Sequence, residues 1–143
     1  MFRNKGFTAI ELIVALAIVL LLVAVAVASF QDHMQRKVRM QAVKALVENA
    51  DWLRQQHAQS GTYLVKLPQT QIPFEGAARY QLSLVGIPFS ASDPKAVFPA
   101  TSNAGFTLQA VPTSADACGI LLLDSSGRTG VTGVEAEVDG CWR

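Results

Sequence analysis

The sequence predicts an α+β chain: one long N-terminal helix, membrane-spanning over its first half, packed through its second half on an antiparallel sheet of three to four strands. Three observations carry this. Residues 12–30 form nineteen consecutive positions without a charge, with Ser29 their only hydroxyl, which is long enough for a membrane helix. Beyond Phe30 the apolar spacing changes from continuous to one-sided, and no Gly or Pro interrupts it before Gly61. After Pro68 and Pro73 the apolar period drops to two, in short runs separated by turn residues.

The helix is expected to continue to about Ser60. At 100° per residue, Met34, Val38, Ala42, Val43, Ala45, Leu46, Ala50, Trp52 and Leu53 share one half of the wheel, and Lys37, Gln41, Lys44, Glu48, Asp51 and Gln55 the other. A one-sided stripe of this kind needs a surface to pack on. From Phe7 to Ser60 the 54 residues would make roughly 80 Å of helix at about 1.5 Å per residue. Gly61 supplies a stop and the two prolines forbid continuation, so residues 61–77 read as a connecting loop.

Three runs then read as strands. Residues 80–85 alternate apolar and polar, and residues 106–110 do the same. Residues 119–124 are more continuously apolar, as in a strand buried on both faces, and Ser125-Ser126-Gly127 closes them with a turn. Residues 134–138 alternate Val, Ala, Val with Glu135 and Glu137, a possible fourth strand or edge. Residues 90–103 and 125–133 read as Ser, Thr, Gly and Pro loops.

Glu11 stands at the mouth of the apolar run. A carboxylate there costs on the order of a few kcal/mol unless it snorkels or finds a partner, which makes it a functional candidate. Its neighbours give that candidate a context. A short leader with Arg3 and Lys5, then Gly6-Phe7-Thr8-x-Ile10-Glu11-Leu12 and the uncharged run, resembles the class III signal of type IV pilins and related pseudopilins. A second stretch agrees: Cys118-Gly119-x-Leu121-x-Leu123-Asp124-x-x-Gly127 and the closing Cys141-Trp142 resemble the disulfide-bounded C-terminal region of type IV pilins, most closely minor pilins of the PilE kind.

The resemblance implies a pilin-like fold and a division of the chain. Residues 1–6 would be a leader, 7–30 a transmembrane and later filament-core helix, and 31–143 a periplasmic head. Prepilin peptidase would cut between Gly6 and Phe7 and methylate the new Phe7 amine. In a stack of such helices, Glu11 of an incoming subunit would pair with the Phe7 amine of one already placed. At low dielectric that pair enforces axial register more than it stabilises; the plainer alternative is that Glu11 only marks the membrane interface. The implied partners are other pilin subunits, the peptidase, the inner-membrane assembly machinery and, before assembly, membrane lipid. The protein would sit in the inner membrane as a single-pass chain, and then in the extracellular pilus. Major pilins carry a Gly and a Pro where this chain has Leu20 and Ala28. A Pro there would remove a helix hydrogen bond, so the present helix is expected to stay intact, as suits a minor subunit.

Competing readings meet specific objections. An ordinary secretory signal has an A-x-A match at Ala26-Val27-Ala28, but the apolar run exceeds the ~7 to 15 residues of such a signal and leaves Gly-Phe and Glu11 unexplained. The cation count does not orient the span, because Arg36, Lys37, Arg39 and Lys44 follow it while two cations precede it. Past Phe30 the remaining 113 residues carry ten Lys or Arg and ten Asp or Glu, so a globally basic nucleic-acid binder is not indicated. Arg36, Lys37 and Arg39 lie near the membrane, where lipid phosphates or neighbouring subunits would meet them. The segment 118–143 has a net charge of −2, which argues against nucleic acid as a partner there and hence against a DNA-capturing competence pilin.

A type II secretion pseudopilin with a calcium loop would draw on Asp124, Glu135, Glu137 and Asp139, but these are spaced as a turn and a strand face. Cys118 and Cys141 are too distant for a CxxC pair, and His33 and His57 are the only histidines, so neither a metal nor another cofactor is expected. In an exported domain the two cysteines read as a disulfide closing a 24-residue loop, stabilising by roughly 3.4 kcal/mol in the chain-entropy model; two free thiols are the alternative. No nucleophile motif or phosphate-cradling loop accompanies the histidines, so an enzyme is not expected. His57, Trp52 and Trp142 are assigned to packing or capping.

Overall fold

The computed structural model of the protein describes residues 8–134 and 136–143. The chain divides between Gln35 and Arg36 into two units, and the helix α1 (Ala9–Ser60) is continuous across the division. Its start follows a capping-box sequence, Thr8-x-x-Glu11: the Glu11 N–H donates to Thr8 Oγ1 at 3.4 Å, a long bond, and the Leu12 N–H donates to the Thr8 carbonyl at 3.2 Å. In the first unit every large apolar side chain from Ile10 to Phe30 is more than half exposed. The backbone stays helical through Leu20 and Ala28, as their non-breaking identities require.

In the second unit the helix buries Ala42, Val43, Ala45, Leu46, Asn49, Ala50 and Leu53, spaced as one face of a 3.6-residue repeat. The predicted polar sector is exposed throughout. Met34, expected on the packed face, is instead exposed, and Trp52 is half-buried. Gly61 ends the helix at φ 72°, and its N–H donates to the His57 carbonyl at 2.8 Å, closing the last turn in a conformation that glycine adopts at no steric cost.

The strands are β1 (Gln71–Ile72), β2 (Tyr80–Leu84), β3 (Phe89–Ser90), β4 (Val97–Phe98), β5 (Thr107–Pro112), β6 (Leu121–Asp124) and β7 (Thr129–Val131). Five form an antiparallel sheet in the order β1-β2-β5-β6-β7, and β3 pairs with β4 separately. The register places Leu82 opposite Ala110, Ala110 opposite Leu121 and Leu121 opposite Val131. That row belongs to the core that also holds the helix stripe. On the other face Leu122 joins Val85 and Phe98 in a smaller cluster with Phe89 of the β3–β4 pair packed against it. β6 is therefore buried on both sides, as its unbroken Leu run predicts.

Two expectations are corrected. The main sheet has five strands, because the 61–77 segment contributes the two-residue β1, too short to show a period. The fourth long-range strand is β7 and not residues 134–138. Val134 is 96% exposed, Glu135 lies outside the described residues, and Val138 opens the short helix α2 (Val138–Trp142). Of the apolar members of that stretch only Ala136 and Val138 pack on the core, and they do so without a ladder. The ladder comes earlier because Gly127, at φ 85°, turns the chain back beside β6. Within β7, a side chain on Gly130 would strike the Phe98 ring at 2.6 Å; only glycine lets that ring lie against the strand.

Candidate functional site

Two places in the chain hold the groups from which function can be argued. The first is the opening of α1. Glu11 is exposed at its first turn, followed by the uncovered apolar run. Gly6 and Phe7, expected as the cleavage pair and Phe7 as the methylated amine, lie outside the described residues, so the Glu11–Phe7 pairing has no geometry here.

The second is a polar network inside the head. Arg39 Nη2 donates to Asp116 Oδ1 at 2.7 Å, and the Tyr80 hydroxyl donates to Asp116 Oδ2 at 2.7 Å. The Cys118 N–H adds a third bond to Oδ1 at 2.8 Å. The Asp116 side chain is only 3% exposed, so its charge is stabilised almost wholly by these donors. Burial, reinforced by the bond to Asp116, holds the Tyr80 hydroxyl well above its ordinary pKa. For Arg39, burial works against the charged form, but the bonds to Asp116 and Tyr80 outweigh it and the pKa is raised. Asp116 thus ties the long helix and β2 to the backbone of Cys118, and Cys118 is disulfide-bonded to Cys141 in α2, with 5.9 Å between their Cα atoms. The sequence reading missed this network and grouped Arg39 with Arg36 and Lys37 as cations met by lipid phosphates or neighbouring subunits. That placement is corrected: Arg39 is largely enclosed, at 14% side-chain exposure. The available signal was its position on the apolar stripe, four residues before Val43 and seven before Leu46.

Asp124, considered above as an oxygen ligand, is occupied by its own turn. Oδ1 accepts from the Ser126 N–H, the Ser126 hydroxyl and the Arg128 N–H at 3.0, 2.6 and 2.9 Å, and Oδ2 accepts from Arg128 Nε at 3.0 Å. Burial alone would raise its pKa, but these donors lower it. Glu135 lies outside the described residues, while Glu137 and Asp139 are exposed. Among the described residues no group of three or more His, Cys, Asp or Glu is placed to share a cation. Arg128 also lies 4.5 Å over the Phe98 ring and donates to the Val97 carbonyl at 2.9 Å, fastening β4 to the β6–β7 turn.

The remaining candidates pack. The His57 ring stacks on Tyr63 with centroids 4.1 Å apart, and its Nε2 lies 3.0 Å from the Asn103 carbonyl. Trp142 Nε1 donates to the Gly130 carbonyl at 3.3 Å, and Trp52 packs against the main core. His33 is exposed.

A long N-terminal helix with an uncovered apolar opening, a lower half buried on an antiparallel sheet and a C-terminal disulfide define a pilin. The chain belongs to the ComP family of type IV minor pilins: the family model described as "Type IV minor pilin ComP, DNA uptake sequence receptor" matches residues 28–122. Among solved structures, the non-core minor pilin PilV of Neisseria meningitidis superposes with a TM-score of 0.47 at 18% identity, over 74% of this chain and 94% of that one. A type IV pilin from Shewanella oneidensis gives 0.42 at 26% identity, over 66% and 89%. No curated protein sequence matches the chain.

Proposed function

We propose that this minor pilin is made with a leader cut between Gly6 and Phe7, is anchored in the inner membrane by residues 7–30 with residues 31–143 in the periplasm, and then enters the filament through the same helix. The observation that carries this reading is the uncovered run of α1. Fourteen large apolar side chains between Ile10 and Phe30 are more than half exposed, and leaving them in water would cost on the order of 20 kcal/mol. Lipid before assembly and neighbouring pilin helices after it are the two environments that remove that cost. Prepilin peptidase, the inner-membrane assembly machinery and flanking pilins are the partners this route requires. Glu11, exposed at the first turn, serves as the register group toward the Phe7 amine of a neighbour. The chain acts by assembly and binding and carries no reaction of its own; in support, His57 is engaged by Tyr63 and Asn103.

The test is intact mass and N-terminal sequencing of the membrane-extracted protein, together with Glu11→Ala. The expected chain starts at methylated Phe7, and the variant is cleaved and inserted but poorly incorporated into filaments. A chain starting at Ser29, or normal incorporation of Glu11→Ala, overturns the corresponding half of the reading.

A second reading is that the head captures DNA, and the family's description as a DNA uptake sequence receptor favours it. The acidic C-terminal segment remains a poor place for it, since Arg128 and Arg143 are paired with Asp124 and Asp139. Lys37, Lys66, Arg79 and Lys95 are exposed and form no ion pair among the described residues. Binding through them would weaken steeply with salt, with a log–log slope of about −0.9 per phosphate contact. A mobility shift of duplex DNA by the full-length chain at low and moderate salt tests this; no shift at low salt removes it.

A further inference from the structure

The head contains a cleft of about 240 Å³ lined by Arg36, Arg39, Met40, Gly140 and Arg143. Its lining residues include three arginines and no Asp or Glu. Arg39 is neutralised from inside by Asp116, whose side chain is almost wholly buried. Arg143 pairs with Asp139 at 3.1 Å, but both side chains are at least 80% exposed, and such a pair is readily exchanged for a better partner. Arg36 is exposed and has no ion-pair partner among the described residues.

The two walls are tied together. Arg36, Arg39 and Met40 come from α1, and Gly140 from α2 with Arg143 just beyond it. Asp116 holds Arg39 and accepts the Cys118 N–H, and Cys118 is bonded to Cys141, the residue next to Gly140. Gly140 has open space where a side chain would stand, which keeps that wall low. The volume falls below the ~300 Å³ at which drug-sized pockets begin and suits one phosphate with the polar groups attached to it.

Arg36 follows the end of the uncharged run by six residues, and Lys37 and Arg39 follow closely. On the translocated side of a span such cations run against the usual distribution, and a phosphate-bearing membrane surface gives them a reason to be there. We propose that this cleft binds the phosphodiester headgroup of an anionic phospholipid while the pilin is held in the membrane before assembly. This rests on the membrane-anchored reading above. Arg39, charge-paired with and fixed by Asp116, shapes the floor of the cleft, and Arg36 and Arg143 supply the net positive charge to the headgroup from the two walls. Bidentate geometry makes guanidinium the suitable group for this task.

The experiment uses the full-length chain in nanodiscs containing phosphatidylcholine and phosphatidylglycerol in equal amounts, with retained lipids counted by native mass spectrometry after release. Insertion into nanodiscs of phosphatidylcholine alone tests the anchor separately from the cleft. The expected result is an enrichment of phosphatidylglycerol over phosphatidylcholine of about thirtyfold, the order given by two arginines at a lipid surface. Arg36→Gln/Arg143→Gln should reduce it to near parity, whereas Lys66→Gln/Lys95→Gln, which removes the same charge elsewhere, should leave it unchanged. Insertion without enrichment, or equal loss in both double variants, overturns the proposal. Displacement of the lipid by inorganic phosphate alone would assign the cleft to a free anion, and displacement by duplex DNA at matched phosphate concentration would assign it to nucleic acid. Either result also overturns it.

Discussion

Residues 10–30 and 42–53 belong to one helix and both carry aliphatic side chains, yet they differ completely in what covers them. Leu46 and Leu53 have no exposed surface, while Leu16 and Leu20 are 60% and 61% exposed. The first stretch is apolar all round and the second on one side only, with Lys44, Glu48 and Asp51 facing water. The second stretch satisfies its apolar face inside the chain and supplies fold stability; the first depends on lipid or another subunit and supplies function. The comparison breaks most readily at Leu46. Leu46→Ala should destabilise the head by about 4 kcal/mol, in the upper part of the range for a core leucine that leaves a cavity. Denaturant unfolding of the full-length chain in detergent, followed by Trp52 and Trp142 fluorescence, would show this, with retention in the membrane fraction unchanged. A loss under about 1 kcal/mol would mean that the lower helix is not the core it forms here.

The next largest effect concerns the polar group that the packed half carries. Asp116→Ala would leave Arg39 without its ion pair, Tyr80 without an acceptor and the Cys118 N–H unsatisfied. About 3 kcal/mol of destabilisation is expected, the lower end for breaking a buried pair because Arg39 keeps some contact with water. Asp116→Ala/Arg39→Met should cost less than Asp116→Ala alone, since the unpaired charge is then gone. If the double variant is the worse of the two, the network contributes by packing and not by charge.

Much of this was legible in the sequence, and the exceptions have physical causes. The lack of any Gly or Pro before Gly61 let the sequence place the end of α1 at Ser60, where the structure has it, while the expected start at Phe7 lies outside the described residues. The Leu run of β6 announced burial on both faces. The two-residue strands β1, β3 and β4 carry no period that could be read. β7 was hidden in a Thr-Gly-Val stretch whose glycine is required by the Phe98 ring, a contact between residues 32 apart in sequence. Residues 134–138 show the opposite failure, an alternation with no ladder behind it, in which Ala136 and Val138 pack but Val134 is exposed. At the head's polar network, Arg39 on an apolar stripe signalled a missing anion, but the anion lies 77 residues away, and one sequence does not pair such distant groups. Glu11 and the cysteines were visible because local spacing defines them.

Acid should separate the head from the opening helix more gently. The Asp124 pKa is lowered in the fold, so its contribution is fully present above the ordinary carboxylate pKa and is lost as pH falls through the folded value. The head's unfolding midpoint should therefore drop below about pH 4, and Asp124→Asn should remove part of that dependence while costing on the order of 1.5 kcal/mol at neutral pH. A pH profile identical in Asp124→Asn and the parent would assign acid lability elsewhere. Tyr80 works in the other direction: its raised pKa favours the neutral phenol, so that contribution holds below about pH 10 and is lost as the unfolded chain ionises above it.

The smallest expected effect is the sharpest test of the comparison. Leu16→Ala makes the same chemical change as Leu46→Ala on the same helix, and alanine is at least as good a helix former as leucine. Because Leu16 has no cover from its own chain, no intramolecular cavity forms, and the head's unfolding midpoint should move by less than about 0.5 kcal/mol equivalent. One leucine among so many also leaves the run apolar enough to remain in the membrane. On the proposed route into the filament the consequence belongs at that level, where Leu16 would meet another subunit and its truncation would weaken packing between chains. A midpoint shift as large as that of Leu46→Ala would place residue 16 against its own chain, and the apolar opening would then be core instead of contact surface.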